Sequence, residues 1–258
     1  MPTHSPKPFD RFDLDLARAV LEQLIERFET LDVGPLDAAT INQVFAEQGV
    51  YQLFQAKRLV YAGKTSKVLP RRLLRHLRLL SGRKNINLAD LGFKAVVINR
   101  NWMPSIHEGM VINHYTRLGL CEWNQTGFGN NDPGRNREDT IKNKFDLDFP
   151  INERFVCSCI DPRDWNALEL LVKLKKKLPF LFRYQCDPRK RYTKGSIKYN
   201  SLTIKVPQSS LSLSDLIRVV IDQFPDGWQT TFFPSHVILY AEAPTRIYTN
   251  ATLVIRKP

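Results

Sequence analysis

Between Tyr51 and Ala89 the chain has no aspartate or glutamate at all. Within that stretch stand Lys57, Arg58, Lys64, Lys67, Arg71, Arg72, Arg75, Arg78, Arg83 and Lys84. A solvated charged face ordinarily mixes signs to limit self-repulsion, so a one-sign run reads as a surface that faces phosphates, with an indifferent solvent face as the alternative. The imbalance extends to the whole chain, with 38 Lys and Arg against 26 Asp and Glu, a net charge of +12 and a pI near 9.6. Such a charge implies an anionic partner, nucleic acid first and an anionic membrane surface second. Long apolar runs are also missing: none reaches the ~20 residues of a membrane-spanning helix. The opening Met1 to Asp13 is polar and broken by prolines instead of pairing a charged head with an apolar core. A cytoplasmic protein without membrane association is therefore expected.

Cysteine is equally scarce. Cys121, Cys157, Cys159 and Cys186 are too few and too scattered for a disulfide framework in 258 residues. Cys157 and Cys159 are one residue apart, without a histidine following at ligand spacing, which argues against a zinc knuckle and for small buried hydrophobes. An apolar fraction of 43% is enough for one large domain or two modest ones.

Leu14, Ala17, Leu21, Leu24, Ile25 and Phe28 recur at helical spacing over Asp13 to Glu29 and predict an amphipathic helix, for packing or for a partner. A second short helix is expected over Asp37 to Phe45. Gly49 to Phe54 and Leu59 to Ala62 read as strands around a turn at Gln55 to Arg58, setting Tyr51 and Tyr61 side by side. Thr65 and Ser66 are candidate caps for a helix from Val68 to Leu80, with Pro70 in its first turn and Arg72 and His76 four residues apart on one face. Phe93 to Ile98 reads as a strand. Ser105 then opens a helix to about Leu118 with Glu108 near its start, where the glutamate either closes a capping box or serves chemistry. Thr126 to Arg135 is a glycine-rich loop.

Gly49-Val50-Tyr51 and Tyr61-Ala62-Gly63, followed by an arginine on a helix, resemble the GIY-YIG nuclease signature in the variant form GVY-YAG. The later order is Trp102-Met103-Pro104, Glu108 on a helix, Trp123-Asn124, then Gly127-Phe128-Gly129-Asn130-Asn131-Asp132-Pro133-Gly134. It resembles the branch of that superfamily made up of Type II restriction endonucleases that cut CCGCGG. The resemblance covers roughly residues 8 to 137. It implies an α+β fold, a small antiparallel sheet flanked by helices, and a double-stranded DNA substrate cut with one divalent metal, Mg2+ or Mn2+.

Carried onto this chain, the resemblance makes Tyr51, Tyr61, Arg72, His76, Glu108 and Asn124 the catalytic set. Glu108 would hold the metal, a hard ion that suits carboxylate oxygen and water. Arg72 would grip phosphate oxygens as a guanidinium fork, and Asn124 would support the site by hydrogen bonding. Tyr51 or His76 would take the proton of the attacking water, and the residues leave that choice open. Tyr61 would orient water or phosphate, while Lys64 would tune a phenol or bind phosphate. Lys64, Lys67, Arg71, Arg75, Arg78, Arg83, Lys84, Asn130, Asn131 and Arg135 are the expected DNA contacts. A palindromic target fits a two-fold homodimer.

The expected organisation is a nuclease domain with a helical arm over 1–137, a connection over 138–153 and a smaller α+β domain over 154–258. No family resemblance is recognised for the last part. A helix from Trp165 to Leu178 with Lys173, Lys175, Lys176 and Lys177 near its end, a helix from Ser214 to Gln223, and strands Val237 to Tyr240 and Leu253 to Ile255 around a turn near Pro244 are expected there. Its basic and aromatic mixture suits DNA contact or a docked partner protein. Other duties of the nuclease scaffold stay open: repair, homing, cleavage of modified or phage DNA, or DNA binding without turnover.

Overall fold

The first helix, α1 (Leu16–Thr30), starts where the Asp15 carboxylate accepts the Arg18 backbone N–H at 3.0 Å and buries Leu24 and Phe28. The computed structural model describes residues 9, 13, 15–98, 108–129, 143–188, 191–242 and 245–257. Asn130, Asn131 and Arg135 lie outside these residues, as do Ser105 and the Trp102-Met103-Pro104 tripeptide. By internal contacts the chain forms two compact units, Met1–Arg72 with Leu91–Glu122, and Leu73–Asp90 with Trp123–Pro258.

In the first unit, β1 (Gly34–Pro35) precedes α2 (Ala38–Ile41), β2 (Gly49–Gln55) and β3 (Arg58–Thr65). The unit then takes in the start of α3 (Leu69–Ser81), followed after residue 90 by β4 (Leu91–Val97) and α4 (Glu108–Arg117). The helix expected over Asp37 to Phe45 is only one turn, capped by Asp37 on the Thr40 N–H, and Phe45 is exposed. The sheet order is β1-β4-β2-β3, antiparallel throughout. Strands β2 and β3 join through Ala56 and Lys57, both at positive φ (47° and 65°), the backbone that a two-residue hairpin needs to match strand twist.

Strand alternation then divides the sheet. Val50, Phe54 and Ala62 share a core with Leu24 and Phe28 of α1 and Val111 and Tyr115 of α4. Tyr51, Leu53 and Gly63 fall on the other face of the ladder. The register shifts after Leu53, which opposes Tyr61 while Phe54 opposes Leu59. Val60 is thus the additional residue of a bulge, and Tyr61 stays on the Tyr51 face.

The second unit adds α5 (Glu122–Gln125) from Trp123 on, α6 (Lys144–Asp148), β5 (Asp164–Asn166), α7 (Ala167–Lys177), β6 (Leu181–Tyr184), β7 (Thr203–Lys205) and α8 (Leu213–Gln223). It ends with β8 (Trp228–Phe232), β9 (His236–Ala241) and β10 (Leu253–Arg256). A four-stranded sheet of order β10-β8-β9-β6 is antiparallel except for the parallel pair β6 and β9. Helices α7 and α8 bury Leu170, Leu171, Leu174, Leu216, Ile217 and Val220 in one core with Phe182, Trp228, Val237 and Leu239.

Two expectations for this part are corrected. Trp165 is not in the helix: it pairs with Ile204 in a two-stranded ribbon, and α7 begins at Ala167 once Asn166 caps the Glu169 N–H. The strands at Val237 and Leu253 do not form a hairpin with each other, because β8 lies between them and pairs with both.

The neutral thiols and phenols in these cores set a pH limit. Burial pushes Cys121, Cys157 and Tyr115 up to about 12 and raises Tyr51, Tyr184 and Tyr199 further. In the unfolded chain the same groups release protons from ~8.5 for thiols and ~10 for phenols. The unfolded state therefore binds fewer protons in this window, and stability falls as pH rises from about 9 toward 12. Urea melts at pH 7.5 and pH 10.5 should show a clearly lower midpoint at the higher pH; an unchanged midpoint would contradict the burial of these groups.

Candidate active site

Two glycines explain why the hairpin can bring its tyrosines together. A Cβ at Gly63 would lie 2.6 Å from Cζ and from the hydroxyl of Tyr51, and 2.9 Å from the Tyr61 ring. The Tyr51 ring thus occupies the space that any other residue at 63 would fill. At Gly49 a Cβ would meet the Val96 carbonyl oxygen at 2.2 Å and Leu69 at 2.7 Å, so that glycine lets β4 and the start of α3 close on β2. The motif glycines act as spacers at close approaches, and neither needs a left-handed backbone.

Tyr51 and Tyr61 are both buried, with ring centroids 6.1 Å apart and planes tilted by 34°. Arg72, half-buried in the first turn of α3, donates from Nε to the Tyr51 hydroxyl at 3.0 Å. Helix α3 is placed by the Leu69 N–H on the Glu47 carbonyl at 2.7 Å. Thr65, an expected cap, instead accepts the Lys67 N–H in a turn before the helix. Burial first, and then Tyr61, raises the Tyr51 pKa, while the Arg72 guanidinium opposes the rise without cancelling it. The phenol is accordingly neutral near pH 7, holding its own proton while accepting one from Arg72.

The sequence-derived residues divide between the two units. Tyr51, Tyr61 and Arg72 converge in the first. Glu108 is the first residue of α4, whose Val111 and Tyr115 pack on the Val50 face of the sheet. Lys64 pairs with Val50 across the ladder, which places it on the face opposite Tyr51 and Tyr61. Lys67 and Arg71 are exposed.

In the second unit His76 is buried, its ring 5.1 Å from Phe128, and Phe128 lies 5.1 Å from Trp123. Trp123 also packs on Phe145 and Phe149 at 5.2 and 5.7 Å. Asn124 follows it on α5, half-buried. The Trp-Asn pair is thereby anchored by its tryptophan, and the glycine-rich loop supplies Phe128 as the aromatic link to His76.

The basic run is less uniform than its sequence implies. Arg75 is exposed, but Arg78 donates Nη2 to the carbonyls of Lys176 and Leu178, at 2.8 Å for the latter, closing the end of α7. Arg83 is buried against Asp146 at 2.9 Å, and Lys84 pairs with Glu153 at 2.6 Å. These three cations are held by protein oxygens of the second unit. Among the described residues no group of three or more His, Cys, Asp or Glu side chains is placed to hold a metal. No described helix is long and apolar enough to cross a membrane.

Residues 44–162 match the family model described as the Eco29kI GIY-YIG domain. That stretch contains both tripeptides, Arg72, His76, Glu108 and Asn124, and its match supports a GIY-YIG nuclease domain with the α+β fold described above. No curated protein matches the chain.

Proposed function

We propose that the protein is a metal-dependent restriction endonuclease that hydrolyses phosphodiester bonds at a short palindrome in double-stranded DNA, CCGCGG being the expected target. The observation that carries the reading is the Arg72 guanidinium bonded to the Tyr51 phenol, with Tyr61 beside it and Gly63 leaving the room.

Phosphodiester hydrolysis requires an aligned water, charge stabilisation on the phosphoryl group and help for the leaving oxygen. Arg72 uses Nε for Tyr51 and also makes a hydrogen-bond interaction with Tyr61, and its guanidinium fork would turn further hydrogens to phosphate oxygens as their charge grows. Tyr61 orients water from the adjacent ring. Tyr51, neutral and held at its oxygen by Arg72, positions the attacking water. Tyr51 can take the proton of that water only as its phenolate, so either the phenol has first given up its own proton or His76 is the base.

Phenol and carboxylate offer oxygen donors only, a set that suits a hard divalent ion such as Mg2+ or Mn2+, and Glu108 is the side chain that would hold it. When bound, the ion supplies Lewis-acid stabilisation of the phosphoryl oxygens. A two-fold homodimer in the cytoplasm, one site per strand, matches a palindrome.

The test is cleavage of a mixed-sequence plasmid with every fragment end sequenced. Discrete ends at one palindrome are expected with Mg2+. Glu108→Ala should lose on the order of 10³-fold in rate, the equivalent of several kcal/mol of phosphoryl stabilisation. Ends scattered over unrelated sequences would remove the restriction reading and keep the nuclease. DNA binding without any cutting would remove the enzyme.

A further inference from the structure

The second unit contains a cleft of about 470 Å³, a size in the small-molecule range. One side is cationic: Arg75, Arg78, Arg83 and Lys175 line it against a single carboxylate, Asp146. Asp146 is already taken by Arg83 at 2.9 Å, so Arg75, Arg78 and Lys175 remain as a surplus of +3. Among the described residues no carboxylate pairs with any of those three.

Two of the three are fixed in place. Arg78 is tied through Nη2 to the end of α7, which leaves its Nε and Nη1 hydrogens for a ligand. The Lys175 amino group donates to the Phe182 carbonyl at 3.1 Å and sits over the rings of Tyr184 and Tyr192 at 5.9 and 5.3 Å. Burial lowers its pKa, the mark of a cation held away from water. The ammonium meets a carbonyl and two rings but no carboxylate among the described residues, so an anion that reaches it gains a charge-assisted hydrogen bond.

The remaining walls are apolar. Phe128, Phe145, Phe180, Phe182 and Leu178 line the same space, and the Ser235 hydroxyl borders it. A bare inorganic anion would use the cations and leave that surface idle, whereas a hydrocarbon would use the surface and bury unneutralised charge. A ligand with a phosphate joined to a flat, partly apolar ring uses both.

We propose that this cleft binds a nucleoside 5′-phosphate unit, with its phosphate on Arg75, Arg78 and Lys175 and its base against the phenylalanine wall. The unit is either a free nucleotide or one nucleotide of a nucleic-acid strand. The inference needs no catalysis; its strand form rests on the nuclease reading, which already assigns Arg75 and Arg78 to DNA, and its free-nucleotide form does not.

Titration calorimetry of the full chain in EDTA with dAMP, deoxyadenosine and inorganic phosphate tests it. dAMP should bind at least tenfold tighter than either fragment, and Arg75→Gln and Lys175→Gln should each lose about tenfold, with thermal melts confirming folded variants. Arg75 is exposed, so Arg75→Gln alone serves if Lys175→Gln does not fold. Phosphate binding as tightly as dAMP, no binding of dAMP, or variants that bind it like the parent would overturn the proposal. A duplex-binding salt titration on the same variants names the source. A slope reduced by ~0.9 for each cation removed places a strand nucleotide in the cleft, and an unchanged slope assigns it to a free nucleotide.

Discussion

Arg72→Lys should lower DNA cleavage by about 10²- to 10³-fold, the loss usual when one preorganised donor to a developing oxyanion is removed. The substitution keeps the charge and removes the fork. In the structure Nε is engaged with the Tyr51 hydroxyl at 3.0 Å, so only a side chain with further hydrogens at fixed angles can hold the phenol and a phosphate together. Lysine offers one ammonium on a flexible stem and serves one partner at a time.

The loss should be strongly non-additive with Tyr51→Phe, because phenol and guanidinium act as one unit; the double variant should fall little below the worse single variant. A purely structural role for Arg72 predicts the opposite, with additive losses that follow the melting temperature. The pH profile separates the roles further. Burial and Tyr61 hold the Tyr51 proton on, and Arg72 opposes them, so loss of Arg72 raises the phenol pKa again. If Tyr51 accepts the water's proton, the rising limb of the wild-type rate moves to higher pH in Arg72→Lys. If His76 accepts it, the limb stays in place while the whole curve drops.

How much of this was legible in the sequence depended on the range of the interactions. The hairpin, the two tyrosines on one face and the arginine one turn into the next helix follow from strand alternation and local punctuation. The order Gly-Val-Tyr to Tyr-Ala-Gly could be read without knowing why glycine is required. That reason is a steric one between strands: residue 63 lies under the Tyr51 ring and residue 49 under Val96. The bulge at Val60 carries no sequence signal, and without it simple alternation still places Tyr61 only if the pairing is known.

The errors came from the second unit, where local patterns compete with tertiary pairing. Trp228-Gln229-Thr230-Thr231-Phe232 lacks apolar alternation, yet its residues are all buried, with Gln229 donating to Thr231 Oγ1 and the Arg246 carbonyl. Its central strand was therefore not anticipated, and its neighbours were joined to each other. Trp165 fitted a helical period, but an indole stacked under the Arg163 guanidinium at 3.6 Å, in a ribbon with Ile204, outweighs a period that the helix does not need. The basic run misled in another way. Its acid partners Asp146 and Glu153 are more than sixty positions away in sequence, where a local charge count cannot see them. Lys175 had the reverse problem: nothing in the sequence sets it apart from the other lysines near the end of that helix, although it alone of the four lines the cleft.

Arg83→Met is the substitution expected to cost most in stability, about 3–5 kcal/mol, the range for removing one partner of a buried ion pair. The Arg83 Nη1 donates to Asp146 at 2.9 Å and to the Phe149 and Pro234 carbonyls at 3.0 and 3.2 Å, and both charged side chains are about nine-tenths buried. Methionine fills similar space beside Phe145, whose ring lies 5.5 Å from the guanidinium, but supplies no hydrogen. It removes the ion-pair partner of a buried carboxylate and takes a donor from two carbonyls. For a unit of this size the melting temperature should fall by roughly 6–20 °C. Adding Asp146→Leu should recover much of the loss, since two hydrophobic residues cost less than one uncompensated charge. If the double variant is as unstable as Arg83→Met, the carbonyl bonds and not the ion pair hold this corner of the fold.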